Sequence, residues 1–242
     1  MSRRLRLWLF AVGAAGVAVL FLAAVLRMPE FGGVVHPLRA AVLDAAAAHR
    51  TPNVVSAVNY DQRAIDTFGE ETLLLTAVVG AAALLRGGDD APPPRPPRTM
   101  EAVRAVAYLV LPVTLLLGLA TVVHGALTPG GGFQGGIVLG TAVHLVYLVG
   151  GRAALDRVRP VTVYVAGEAV GTAAFAATGL AAAATGAGFL ANVLPFGTAG
   201  SVLSAGTVPL LSAAVGIEVA SGVVVLLAGF LRQGTAGDEA AG

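Results

Sequence analysis

The sequence predicts an all-α, polytopic membrane protein with about six transmembrane helices and both termini in the cytoplasm. Hydrophobic residues make up 56% of the 242 residues and charged residues only 12%, whereas soluble domains contain about 25% charged residues. Apolar runs recur along the chain between short polar stretches, and about 20 helical residues suffice to cross the roughly 30 Å hydrocarbon layer of a bilayer. Lipid is therefore the solvent for most of this chain.

The composition also excludes several classes of function. The chain contains no cysteine, which excludes disulfides, thiolate chemistry and cysteine-ligated metals or clusters. Its net charge is +1 and its basic residues are arginines without a lysine, so it lacks the basic patch of a nucleic-acid-binding protein. No arrangement of nucleophile, base and oxyanion donors is recognisable. We therefore expect neither an enzyme nor a cofactor or metal site.

The amino terminus combines a charged start, residues 1–6, with an apolar run, residues 7–26. This is also the layout of a signal peptide. We interpret it as a retained anchor helix, because the run is longer than a typical signal core and no small-residue cleavage site precedes Arg27. A cleaved signal peptide is the alternative.

Hydropathy and arginine placement together predict the topology. If the amino terminus is cytoplasmic, eleven arginines lie on the inner side and three on the outer side, and this positive-inside bias places both termini in the cytoplasm. The predicted spans are residues 7–26, 54–85, 103–123, 133–149, 161–184 and 208–231.

A proline-rich stretch divides the chain into two predicted modules. Residues 87–99 contain the run Ala-Pro-Pro-Pro-Arg-Pro-Pro, which cannot be helical and has nothing to bury, so we interpret it as a cytoplasmic linker. It separates a two-span module, residues 1–86, from a four-span module, residues 100–242. The outer segment 28–51 is expected to form an interfacial helix.

The second span carries most of the charge. Its apolar part, residues 72–85, is too short to cross the membrane, so part of the charged region must lie at membrane depth. On one helix, Asn59, Arg63, Asp66 and Glu70 fall along one stripe. That stripe must face protein or water, because a charge exposed to lipid at mid-bilayer costs at least about 2.5 to 3.5 kcal/mol.

This stripe has two interpretations. In the first, it is a proton or cation relay in which a carboxylate loads and releases the ion while Arg63 tunes its affinity. In the second, Arg63 and Asp66 form a neutral structural pair that holds the helix in register. For the adjacent Glu70 and Glu71 we favour a role in ion passage, because intramembrane acids commonly mark ion pathways.

A glycine-rich segment joins the third and fourth spans. Five glycines and one proline within eight positions predict a non-helical loop with exposed backbone groups, which must be buried in protein or wetted. Its carbonyls could coordinate a cation as in a filter, or its glycines could let neighbouring helices pack closely. A phosphate-binding loop is excluded by the lack of a Gly-Lys-Ser/Thr ending. The segment consists of Thr128, Pro129, Gly130, Gly131, Gly132, Phe133, Gln134, Gly135 and Gly136.

Four further ionisable residues lie within or at the ends of the later spans. Glu168 and Glu218 each have a hydroxyl residue about one turn away, so each either lines an ion path or is a protonated carboxyl bonded to that hydroxyl. His124 ends the third span and His144 lies inside the fourth. Either histidine could relay protons near neutral pH or be simply hydrogen-bonded.

Two stretches resemble a known family of antiporter components. His124-Gly125 together with residues 128–136 closely resembles the signature of the MnhB/MrpB family, the B-type component of Mrp-type multisubunit cation/proton antiporters. Residues 52–58 with Asp61, Arg63, Asp66 and Gly69-Glu70 resemble the carboxyl-terminal part of the large MrpA-type component, a module that also occurs as the small E-type component of membrane-bound hydrogenase relatives. The chain thus resembles a fusion of an MrpA-type tail with an MnhB/MrpB-type protein.

The resemblance implies a place in a large complex of a bacterial inner membrane that exchanges Na+ for H+. Its partners would be Mrp proteins of the A, C, D, E, F and G types and the lipid bilayer, with no nucleic acid. Na+ and H+ would be transported ions, and Asp66 and Glu70 would lie in a region implicated in ion passage. A purely structural membrane subunit, or a subunit of a hydrogenase-like or complex I-like redox complex, are the alternatives.

Overall fold

A computed structural model of the chain describes residues 3–28, 36–85, 100–158 and 160–239. Within these ranges there are eight α-helices, one π-helix and no strand. The chain divides into two compact units, Met1–Ala40 and Ala41–Gly242. The predicted linker, residues 87–99, lies outside the described residues. The helices are α1 (Arg3–Leu26), α2 (Pro37–Ala48), α3 (Val54–Ala57), α4 (Ala64–Leu84), α5 (Glu101–Val123), α6 (Gly132–Val158), α7 (Val161–Ala184) and α8 (Val208–Glu239), and the π-helix Val58–Gln62 follows α3.

Six of these helices are long and apolar enough to cross a membrane, which confirms the predicted fold class and number of spans. Five of the six begin within a few residues of the predicted positions, and the second begins ten residues later, at Ala64 instead of position 54. The spans are Arg3–Leu26, Ala64–Leu84, Glu101–Val123, Gly132–Gly150, Val161–Ala184 and Val208–Phe230.

The first unit contains α1, an apolar helix without a buried residue. Large side chains such as Trp8 and Phe10 are exposed along it. In a membrane such a surface faces lipid or other chains, because water would have to be excluded from it.

The second unit is built around α8, which packs against α4, α5, α6 and α7. Of the six spans, α8 is the most buried. Aromatic rings fix α4 beside α7, since Phe68 and Phe175 stack with centroids 5.8 Å apart. The core of the unit contains Tyr60, Ala64, Phe175, Leu190, Val208, Leu211, Val215 and Val219.

The charged second span is interrupted, so the expectation of one continuous helix over residues 54–85 is wrong. The Arg63 amide bonds to the Val58 carbonyl at 2.8 Å, five residues back, and the Arg63 backbone then leaves helical geometry with φ −135° and ψ 37°. The Thr67 hydroxyl donates to the Asn59 carbonyl at 2.7 Å. This hydroxyl satisfies a carbonyl that the interruption frees, and Asn59 therefore does not share a helical stripe with Asp66 and Glu70.

The glycine-rich segment is also more helical than predicted, because α6 already begins at Gly132. The non-helical backbone is confined to residues 124–131. Glycines in the first turns of α6 allow α5 and α8 to approach: a Cβ at Gly136 would lie 2.8 Å from the Val219 Cβ, and one at Gly135 would lie 2.8 Å from the Gly118 carbonyl. For residues 132–136 the structure therefore favours the interpretation of close helix packing.

Candidate functional site

Three glutamates from three transmembrane helices are buried in the second unit. Glu71 on α4, Glu168 on α7 and Glu218 on α8 have relative exposures of 0%, 2% and 0%. Each lies within a membrane span, and its side chain is shielded from solvent by the rest of the chain. We refer to these three residues as the acid cluster.

Glu218 is the middle member of the acid cluster. Its carboxyl lies near the carboxyls of both Glu71 and Glu168, and the Thr172 side chain also lies near it. Both oxygens of Glu71, both oxygens of Glu218 and Oε1 of Glu168 have no hydrogen-bond partner among the described residues when the groups are treated as carboxylates. Since a carboxylate can only accept hydrogen bonds, such facing groups need a proton, a water or a cation between them.

Close packing of α7 against α8 encloses the acid cluster. A Cβ at Gly171 would lie 2.6 Å from the Glu218 Cβ, and a Cβ at Gly222 would lie 3.2 Å from both Glu168 Oε1 and Val78 Cγ2. The two glycines therefore bring the helix backbones together where the glutamates meet. Larger residues here would push the helices apart.

Tyr60 of the π-helix lies beside the acid cluster. Its side chain is buried, lies within interaction range of Glu71, and its hydroxyl oxygen is in reach of the Gly132 amide at the start of α6. Burial, followed by the negative charge of Glu71, raises the pKa of the Tyr60 hydroxyl. The hydroxyl thus remains protonated at neutral pH and can donate a hydrogen bond. A π-helix at such a position is common near functional sites.

Residues at the start of α3 are hydrogen-bonded to the non-helical backbone that leads into the glycine-rich segment. The Asn53 Nδ2 donates to the carbonyls of Gly125 and Thr128 at 2.7 Å and 2.8 Å, and the Ser56 hydroxyl donates to the Gly125 carbonyl at 2.6 Å. The Asn53 amide donates to the Ala126 carbonyl at 3.0 Å. Protein donors from the first module therefore satisfy the carbonyls of Gly125, Ala126 and Thr128.

Three predicted site residues lie apart from the acid cluster, on the surface of the chain. Arg63 and Asp66 form an ion pair, with side chains 70% and 49% exposed, and Glu70 is exposed as well. Within the charged part of the second span, the structure therefore buries Glu71 and leaves its neighbour Glu70 outside.

The two histidines also lie apart from one another. His124 is exposed, and its Nδ1 lies 3.0 Å from the Ala120 carbonyl. The His144 ring lies next to the Val223 backbone of α8, and its Nε2 is buried without a hydrogen-bond partner among the described residues. Of the two, only His144 faces the helix that carries Glu218.

Tyr60 was missed by the sequence analysis, and so was a pairing of His49 with Asp61. His49 Nδ1 lies 2.5 Å from Asp61 Oδ2, and the His49 ring stacks on Phe196 with centroids 4.3 Å apart. A tyrosine within a charged membrane segment is a signal that could have indicated Tyr60. No group of three His, Cys, Asp or Glu side chains in the described ranges is arranged to hold a metal ion.

Comparison with known proteins identifies the family. Residues 102–225 match a family model described as a domain related to the MnhB subunit of Na+/H+ antiporter. The chain belongs to the MnhB-related family. This MnhB-related protein is thus a multi-pass membrane subunit of a Na+/H+ antiporter-type complex. It is also 31% identical to a protein of Methanocaldococcus jannaschii without a characterised function, over 71% of this chain and 74% of that protein.

Two solved structures resemble the MnhB-related chain along most of its length. A chain of the membrane-bound sulfane sulfur reductase, an archaeal respiratory membrane complex, matches 92% of it with a TM-score of 0.74 and 26% identity, over 97% of that chain. A chain of the Mrp complex from Dietzia sp. DQ12-45-1b matches 95% of it with a TM-score of 0.69 and 26% identity. The match covers only 26% of that longer chain, so one Mrp polypeptide contains counterparts of nearly all of this protein.

Proposed function

We propose that this protein contributes to ion translocation in a multisubunit Na+(cation)/H+ antiporter and that the acid cluster carries the ion through the middle of the membrane. The observation that carries the proposal is the meeting of three buried carboxyls, from α4, α7 and α8, without hydrogen-bond donors for most of their oxygens. Buried ionisable groups in membrane spans are costly and are retained mainly for function.

The depth of the acid cluster supports this role. Glu218 follows the first residue of its span, Val208, by ten residues, which is about 15 Å along a helix at 1.5 Å per residue. That distance is about half of a hydrocarbon layer of roughly 30 Å. An ion that crosses the membrane beside α8 therefore meets these carboxyls at the position where the barrier is highest.

Polar groups on either side extend this route. Tyr60 lies near Glu71 on the side of the glycine-rich segment, and His144 lies near Val223, further along α8. We assign Arg63, Asp66 and Glu70 to the surface that meets neighbouring subunits, because their charges are exposed on a membrane helix.

The wider assignment follows from the same observations and the family. We propose that the protein lies in a bacterial plasma membrane with both termini in the cytoplasm. Residues 1–86 form a module like the MrpA-type tail, and residues 100–242 form a module of the MnhB/MrpB type. The protein binds no cofactor, has no enzymatic activity of its own, and assembles with Mrp proteins of the A, C, D, E, F and G types.

Single neutralising substitutions test the translocation role. Glu71→Gln, Glu168→Gln and Glu218→Gln are each introduced into the complete complex, and Na+-driven proton exchange is measured in everted vesicles. We expect the complex to assemble and exchange to fall at least tenfold. Glu101→Gln, at the exposed start of α5, is the matched control and should leave exchange unchanged. Unchanged exchange in all three variants, or loss of assembly in place of exchange, would instead support a purely structural subunit.

The likeness to the sulfane sulfur reductase chain favours a second candidate, a subunit of a related redox complex. That chain matches along 97% of its length and has the higher of the two TM-scores. Purification of the native complex in mild detergent, followed by identification of the co-purifying chains, separates the two candidates. Antiporter subunits alone support the antiporter, whereas hydrogenase-like or reductase subunits support the redox complex.

A further inference from the structure

We propose that Glu71 and Glu218 share a single proton between their carboxyls, so that the ion loaded at the acid cluster is H+ and not Na+. This inference rests on the proposed function, because it names the ion that the same site carries. It also implies that Na+ crosses the complex by a route that does not include this pair.

The donors and acceptors around the pair favour a shared proton. The pair brings together four carboxyl oxygens that are buried and lack a donor among the described residues. One added proton converts one carboxylate into a carboxylic acid, whose O–H then donates to the other carboxylate. The proton supplies a hydrogen bond between two of the four oxygens and removes one of two like charges that repel each other at short range.

The described residues around the pair supply few ligands for a cation. Hard cations in proteins usually bind six or more oxygens, supplied by carboxylates, carbonyls, amides and water. Among the described residues, the Thr172 hydroxyl lies near Glu218, and the Tyr60 hydroxyl is not hydrogen-bonded to Glu71. The Thr172 hydroxyl donates to the Glu168 carbonyl of its own helix at 3.2 Å. A shared proton needs only two oxygens, and the pair itself provides them.

The helices around Glu218 are closely packed. A Cβ at Gly171 would already lie 2.6 Å from the Glu218 Cβ and 2.7 Å from the Ala214 carbonyl oxygen. On the side of α4, Val78 is fully buried, and its Cγ2 would lie 3.2 Å from a Cβ at Gly222. The close approach of α7 to α8 limits the space beside Glu218 for the ligands of a cation, whereas a proton occupies no additional volume.

The matched substitution is glutamine, because it supplies by itself the donor that the proton provides. In Glu71→Gln the side-chain amide can donate to the Glu218 carboxylate, and Glu218→Gln reverses the roles. Either variant should therefore lose the shared proton while it keeps the shape of the pair.

The test is difference infrared spectroscopy of the complete complex in nanodiscs, combined with binding of radioactive Na+. At neutral pH we expect the carbonyl band of one protonated carboxyl, shifted in D2O and unchanged by Na+, that is absent from Glu71→Gln and Glu218→Gln and present in Glu101→Gln. The Na+ dissociation constant should change less than twofold in both pair variants. A band that disappears when Na+ is added, or Na+ binding weakened more than tenfold by Glu71→Gln, would overturn the proton assignment.

Transport assays on the same samples separate the two proposals. If the band behaves as expected but Glu71→Gln and Glu218→Gln exchange ions at the wild-type rate, the proposed function fails and the shared proton stands. If exchange and Na+ binding are lost together, the cluster carries ions but its ion is Na+, and the inference fails alone.

Discussion

Replacing Asn53 with alanine should destabilise the second unit, because one side chain performs two tasks. Its Oδ1 accepts from the amides of Val55 and Ser56 and caps α3, and its Nδ2 donates to the Gly125 and Thr128 carbonyls. In the variant, the Ser56 hydroxyl can still donate to the Gly125 carbonyl. The Thr128 carbonyl, in contrast, loses the hydrogen bond from the Asn53 side chain.

The magnitude follows from these two tasks. Loss of the cap costs about 1 kcal/mol, and a buried carbonyl left without its donor costs about 1 to 3 kcal/mol. We expect a total of about 2 to 4 kcal/mol, or a melting temperature lower by roughly 4 to 16 °C for a chain of this length.

Thermal unfolding of the purified complex in mild detergent, at a fixed scan rate, measures the effect. Asn53→Asp separates the two tasks. Aspartate caps a helix as well as asparagine does, but its carboxylate has no donor for the Gly125 and Thr128 carbonyls and would place a second acceptor against them. We expect it to be at least as destabilising as alanine. Thr114→Val, which removes an exposed hydroxyl bonded within its own helix, should change stability by about 0.5 kcal/mol or less. A stable Asn53→Asp protein would show that the bonds to the Gly125 and Thr128 carbonyls contribute little to stability.

Three further substitutions test other parts of the structure by the same unfolding assay. Gly222→Ala should destabilise by about 1 to 3 kcal/mol, since its Cβ would crowd the acid cluster; Gly13→Ala, with open space around it, should have little effect. Gly131→Ala should cost about 1 to 3 kcal/mol through backbone strain alone, because its φ is +133° while its nearest neighbours are at ordinary contact distances. Arg63→Gln should cost about 1 kcal/mol or less, because its pair with Asp66 is exposed.

One result would contradict each of these predictions. Equal melting temperatures for Gly222→Ala and wild type would mean that α7 and α8 are less closely packed than the structure indicates. A neutral Gly131→Ala would mean that the loop can relax to a conformation with negative φ. A large loss in Arg63→Gln would mean that a neighbouring subunit buries the pair in the complex.

Hydropathy alone predicted the number of spans, because a bilayer requires long apolar helices whatever their partners are. It could not predict where the second span begins. The interruption at Arg63 depends on a hydroxyl, that of Thr67, reaching back to the Asn59 carbonyl. A contact of that kind is tertiary in origin and leaves no periodic pattern in the sequence.

The glycine-rich segment was predicted to be non-helical because glycine is a poor helix former in water. In the membrane, Gly132 and Gly136 lie in α6, where their lack of a side chain allows α8 to approach. The stabilisation from close helix packing exceeds the cost of the low helix propensity of glycine. The sequence of one helix does not reveal the surface of the helix that packs against it.

The candidate site was predicted in part. Glu71, Glu168 and Glu218 were all identified as candidates, because an acid in an apolar span stands out without any structure. What the sequence could not supply was the choice between Glu70 and Glu71, which point about 100° apart on the same helix. The meeting of residues 71, 168 and 218 is likewise a property of helix packing, which sequence spacing does not encode.

The acid cluster draws one carboxyl from the first predicted module and two from the second. Evolutionary change at position 71 is therefore constrained by position 218 across a long separation in the chain, and homologues that lose one acid should show a compensating change at the other. The same dependence should persist in relatives that encode the two modules as separate genes, where it would link the evolution of two polypeptides through a single hydrogen bond.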